Sequence, residues 1–148
     1  MYEDRDNTHM ASEFYVFSML HRIGANAFIS MGNKKVVDII VKKGEKSLTI
    51  DVKGLQAKSS FPVNNYRQVN GHYIVFVSYD GKFDNVITTP KVYIVPSNDL
   101  EKSFKELNGK KLAVTSPKGA INVSCSSLEK LAKKYQNNWK VFKEGNTD

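Results

Sequence analysis

Two apolar runs separated by a glycine turn constrain this chain more than any other stretch. They are Val36-Val37-Asp38-Ile39-Ile40-Val41 and Leu48-Thr49-Ile50-Asp51-Val52-Lys53, with Lys43-Gly44-Glu45-Lys46 between them. β-Branched residues dominate both runs, and glycine in the first central position suits a type II′ hairpin turn. A Gly44-Glu45 loop pairs Lys43 with Lys46 and sets Asp38 directly opposite Asp51. Side chains alternate between faces along a strand, so Lys53 shares the face of Asp51 and lies opposite Val36. The other face is wholly apolar, with Val37, Ile39 and Val41 against Leu48, Ile50 and Val52. Val36 and Ile40 make the acidic face partly apolar as well. Strands apolar on both sides sit centrally in a covered sheet.

The register has an electrostatic consequence. Directly opposed side chains have Cβ atoms about 5 Å apart. Two full charges at that distance repel by about 3 kcal/mol at an effective dielectric of about 20. Two acids and a lysine on a covered face call for a compensating charge. A divalent cation supplies one, because Mg²⁺ takes oxygen ligands from one or two carboxylates and fills the rest with water and phosphate. Two solvated acids with a salt-bridging lysine are the other account, and the hairpin alone does not separate them.

Asp38 followed by Asp51-Val52-Lys53 resembles the core motif of the PD-(D/E)XK nuclease superfamily, which includes restriction endonucleases and archaeal Holliday-junction resolvases. The resemblance spans roughly residues 7 to 96 and is firmest over 11 to 58. Val37 stands where the family pattern has proline, and aspartate at position 51 is a variant that the pattern allows. The resemblance implies a restriction endonuclease-like α/β core, a mixed sheet of about five strands flanked by helices. It implies a metal-dependent endonuclease acting on DNA, with Mg²⁺ or Mn²⁺ held by Asp38, Asp51, the carbonyl of Val52 and Glu13. Lys53 would orient or deprotonate the attacking water, or stabilise charge on the phosphate. Many members cut as homodimers, so a homodimer is a further implication. The alternative is a catalytically inactive module of the same fold that binds nucleic acid or a protein partner.

Taken in order, the chain supports that frame. Asn7 can cap a helix with Met10, Phe14, Phe17 and Leu20 on its apolar side, ended by Gly24. Glu13 borders that stripe, where the family carries a supporting acid; a solvated helix acid is the plainer account. Ala25 to Met31 reads as a first strand, and Gly32-Asn33-Lys34-Lys35 turns into the hairpin. Lys34 there, and Gln56 and Lys58 after the motif, are candidate nucleic-acid contacts. Ser59 to Gly71 is polar, contains Pro62, and is expected to be an irregular substrate-facing flap in which Tyr66 and Arg67 could clamp a nucleotide. His72 is expected to be a strand-edge residue.

Tyr73 to Val77 and Val92 to Val95 read as two further strands beside the hairpin, the second closed by Pro96. Helices follow from about Asn98 to Leu107 and, opened by a capping box at Ser126-Ser127-Leu128-Glu129, from there to about Asn137. Leu112 to Thr115 offers a short strand. Lys130, Lys133 and Lys134 form a basic outer side, either a solvated face or a phosphate rail. Trp139, Val141 and Phe142 are expected to pack the end of the chain onto the body.

At 148 residues the whole chain, 1–148, is expected to form one domain. Its net charge of +7 comes almost wholly from lysine, and a basic surface favours polyanions through counterion release. A lone Cys125 offers no disulfide within the chain, no run is apolar enough to span a bilayer, and the opening residues lack a signal peptide's pattern. A cytoplasmic protein without membrane association is the expectation. No glycine-rich phosphate loop, zinc-spaced Cys/His set or Ser-His-Asp arrangement is present.

Overall fold

A computed structural model describes residues 2–30, 37–64, 66, 68–108 and 121–145. The elements run α1 (Tyr2–Arg22), β1 (Asn26–Ile29), β2 (Ile39–Lys43), β3 (Lys46–Leu55), β4 (Ser60–Val63), β5 (His72–Ser78) and β6 (Lys91–Pro96). They continue as α2 (Ser97–Asn108), β7 (Ile121–Ser124), α3 (Cys125–Lys130), α4 (Ala132–Tyr135) and a closing 3₁₀ turn (Trp139–Phe142). Five strands form a sheet in the order β1-β2-β3-β5-β6, and β4 pairs with β7 in a separate ribbon. Only the β3–β5 pairing is parallel among these ladders, so the sheet is mixed. The expected α/β class with a five-stranded mixed sheet flanked by helices is what the chain adopts.

The hairpin takes the register that its turn chemistry dictates. Ile39 pairs with Ile50, Val41 with Leu48 and Lys43 with Lys46, and Gly44 occupies the left-handed region at φ +62°. β3 and β5 are interior strands, and β5 is apolar on both faces because both faces are covered: Ile74 through Val77 are all buried. On one side, Val16 and Leu20 of α1 join Ile39, Ile50, Val52, Val75 and Ile94, with Trp139 and Phe142 closing the end. On the other, Phe61, Ile74, Phe76, Val95, Leu100, Val123, Leu128 and Tyr135 form a second core. Each such side chain contributes about 1.5–3 kcal/mol by leaving water.

Three expectations change. Helix α1 begins before Asn7, and its buried side is not the stripe read from Met10 and Phe14, which are exposed at 47% and 45%. Thr8, Ser12, Glu13, Val16 and Leu20 are the buried set. The reason is close approach: a Cβ on Gly54 would lie 2.1 Å from Ser12 Oγ, so small polar residues, not large apolar ones, fit against β3 there. Four residues of the expected flap from Ser59 to Gly71, Ser60–Val63, form a strand. β4 pairs with β7 and buries Phe61 and Val63, while exposed Pro62 sits in a two-stranded ribbon where proline is tolerated. Tyr66 donates to the Ser97 carbonyl at 2.9 Å, which ties that segment to the start of α2.

The cap of the C-terminal helix lies two residues earlier than the capping-box pattern placed it. Ser124 Oγ accepts from the Ser127 amide at 3.2 Å, and the helix breaks at Leu131 into α3 and α4. Gly24 ends α1 at φ +77°, as expected. Trp139 and Phe142 pack back onto the first core. The expected strand at 112–115 lies outside the described residues. Among those described, no helix is long and apolar enough to cross a membrane.

Candidate functional site

The ladder between β2 and β3 ends at the Ile39–Ile50 pair, and Asp38 stands at the split. Its own amide donates to the Ile50 carbonyl at 3.0 Å, and its carbonyl accepts from the Ser30 amide at 2.8 Å. Its carboxylate then does what a main-chain carbonyl of β2 would do in a continuing ladder. Oδ2 accepts the Val52 N–H at 2.8 Å. Short acidic side chains compete with backbone acceptors in this way. The contact holds the Asp38 carboxylate near the plane of the sheet, at the edge of β3.

Helix α1 closes over that carboxylate. His9 Nε2 lies 2.8 Å from Glu13 Oε2 and 3.9 Å from Asp38 Oδ1. Glu13 and Asp38 are only 3% and 8% exposed. One ligand atom from each of His9, Glu13 and Asp38 falls within 4.8 Å of the others. Ligands of a single ion lie at most about 4.4 Å apart, twice a bond of about 2.2 Å. Small rotations of these three side chains therefore suffice to enclose a cation, and two carboxylates with an imidazole are a suitable donor set.

Asp51 is arranged differently. Along β3, Leu48, Ile50 and Val52 face α1, so Thr49, Asp51 and Lys53 leave the strand on the opposite side. Asp51 Oδ2 is 3.4 Å from His72 Nε2, while His72 Nδ1 is hydrogen-bonded to Thr49 Oγ1 at 2.7 Å. The expected face-to-face convergence of Asp38 and Asp51 is thus corrected. β2 leaves the ladder at the residue in question, and the Asp38 carboxylate turns toward the Val52 amide and α1 instead. Asp51 is outside the group of three. His72 stands at the edge of its strand as expected, as the first residue of β5, and there it meets the Asp51 carboxylate.

Lys53 is half-buried and pairs with Phe76 in the parallel ladder. Gln56 is used internally, its Nε2 donating to Thr8 Oγ1 at 2.7 Å and to the Asp4 carbonyl at 3.5 Å. Lys58 Nζ lies 3.3 Å from Asp80 Oδ1. Lys34 and Arg67 lie outside the described residues. The residue that sequence reasoning missed is His9. Its signal was present as the i, i+4 spacing to Glu13, which puts the two on one side of a helix.

No protein-family model matches the chain, and no curated protein matches it in sequence. Among solved structures, it is similar to a bacterial homing endonuclease (I-Ssp6803I), with 13% identity and a TM-score of 0.47. That match covers 64% of this chain and 69% of the other.

Proposed function

We propose that this protein is a metal-dependent endonuclease hydrolysing phosphodiester bonds in DNA. The observation that carries the reading is the cluster at the split, where two buried carboxylates and an imidazole offer ligand atoms within 4.8 Å of one another. Among the described residues, β3 has no β2 partner in the ladder beyond Ile50, and its edge there would let groups from both sides of the sheet meet one phosphate. Glu13 and Asp38 would hold Mg²⁺ or Mn²⁺ from the α1 side. The Val52 carbonyl leaves β3 on the same edge as the amide that binds Asp38, which suits it as a further oxygen ligand. A cation there supplies Lewis acidity toward the phosphate and lowers the pKa of its bound water.

Asp51 and Lys53 approach from the opposite side. Lys53 offers a flexible cationic donor to a phosphate oxygen or to the attacking water. Asp51 orients His72 or, by turning to the strand edge, adds a ligand. The net charge of +7 favours a nucleic-acid backbone as the polyanion. Supercoiled plasmid incubated with the protein in Mg²⁺ or Mn²⁺ tests the assignment. Asp38→Asn and Glu13→Gln, checked as folded by circular dichroism, should abolish nicking. Nicking retained by Asp38→Asn refutes the proposal. A wild type that binds plasmid without cutting it supports an inactive binding module in its place.

A further inference from the structure

The sequence motif supplies only oxygen ligands and a lysine. The fold adds a nitrogen. His9 stands one helical turn before Glu13, and the ring nitrogen nearest the two carboxylates is Nε2, at 2.8 Å from one and 3.9 Å from the other. The imidazole is 43% exposed, so it lies between the buried acids and water, and an ion can reach it without opening the core. We infer that His9 is the third protein ligand of this site and that the site selects a first-row transition dication such as Mn²⁺ over Mg²⁺. The inference rests on the cation position proposed above, at Glu13 and Asp38.

Ligand chemistry decides the selection. Mg²⁺ requires near-ideal octahedral oxygen coordination and releases water reluctantly, so an imidazole in its shell is unfavourable. Transition dications accept imidazole nitrogen readily, with affinity rising from Mn²⁺ toward Cu²⁺. Two carboxylates alone would leave Mg²⁺ and Mn²⁺ poorly distinguished. The nitrogen is the discriminating donor, and its removal should remove the discrimination while keeping both acids.

Titration calorimetry with MnCl₂ and with MgCl₂, on wild type and His9→Ala, tests this without any assay of cleavage. Wild type should bind Mn²⁺ at least about tenfold more tightly than Mg²⁺. His9→Ala should lose about tenfold in Mn²⁺ affinity and change by less than about threefold for Mg²⁺. Pulsed electron paramagnetic resonance of the Mn²⁺ complex should show ¹⁴N coupling in wild type and none in His9→Ala. His9→Ala removes a partner of the buried Glu13 carboxylate and should lower the melting transition, so each variant is checked as folded by circular dichroism. His9→Gln, closer in size and able to donate to Glu13, provides a second substitution. An Mn²⁺ preference or ¹⁴N coupling that survives in both variants overturns the inference while leaving the carboxylate site intact. A wild type that binds neither ion overturns the inference and the proposed function together.

Discussion

On the α1 side of β3, Glu13 and Asp38 are 3% and 8% exposed and lie against an imidazole and a main-chain amide. On the other side, the Asp51 side chain keeps 31% of its surface in water beside His72. The same strand therefore handles acid groups in two ways. Where a helix presses close, each carboxylate needs named partners, because a buried polar group without one is costly. Where the side chain stays partly exposed, as Asp51 does, solvent does part of that work and the ion pair is loosely specified. The apolar parts of the two sides differ correspondingly. The α1 side mixes small polar residues with Val16 and Leu20, whereas the far side is anchored by large rings such as Phe61 and Phe76, 5.0 Å apart in an edge-on pair.

The largest expected effect comes from the far side. Phe61→Ala should cost about 3–5 kcal/mol in chemical denaturation, since it empties a fully buried ring position that holds the β4–β7 ribbon to the sheet. A loss below about 1 kcal/mol would show that the ribbon is not integral to the core. A smaller, asymmetric effect should separate the two acids. Asp38→Ala leaves the buried Val52 amide without its acceptor and should cost about 1–3 kcal/mol, whereas Asp51→Ala should change stability by less than about 1 kcal/mol. Equal losses at both positions would erase the distinction between the two sides.

The smallest effect concerns tyrosines on both sides. Burial raises the phenols of Tyr73 and Tyr79 on the α1 side and of Tyr66 and Tyr93 on the other above the ordinary value of 10.0. A phenol with a raised folded value keeps its proton where the unfolded chain has lost it. That contribution is fully present below about pH 10 and is lost as pH rises through the folded values. Ultraviolet titration should show a late-ionising class of tyrosines, accompanied by a fall in stability above about pH 10. A single transition at the ordinary value for every tyrosine would contradict this burial pattern.

The hairpin was legible because its information is local. β-Branched runs, Gly44 at the turn and the alternation of faces fix the Ile39–Ile50 and Lys43–Lys46 pairings without reference to the rest of the molecule. β5 and β6 were legible for the same reason, as unbroken apolar runs need cover on both faces. β4 was not, because Ser60-Phe61-Pro62-Val63 becomes a strand only when β7, far along the chain, lies beside it. Helix α1 was legible as a helix but not in its rotation. Apolarity pointed to Met10 and Phe14, while the fit around Gly54 selects Ser12 and Glu13 for the buried side.

The motif divides along the same line. The sequence by itself determined that Asp38, Asp51 and Lys53 would arrive on adjoining strands, since strand pairing follows from side-chain pattern over a few residues. Only the tertiary structure decided which carboxylates meet. β2 leaves its partner at Asp38, the freed carboxylate takes the Val52 amide, and α1 brings His9 and Glu13 onto it from residues that share no local pattern with the hairpin. Contacts between elements depend on how closely backbones can approach, and that is set at Gly54 and Ser12 by packing, not by periodicity.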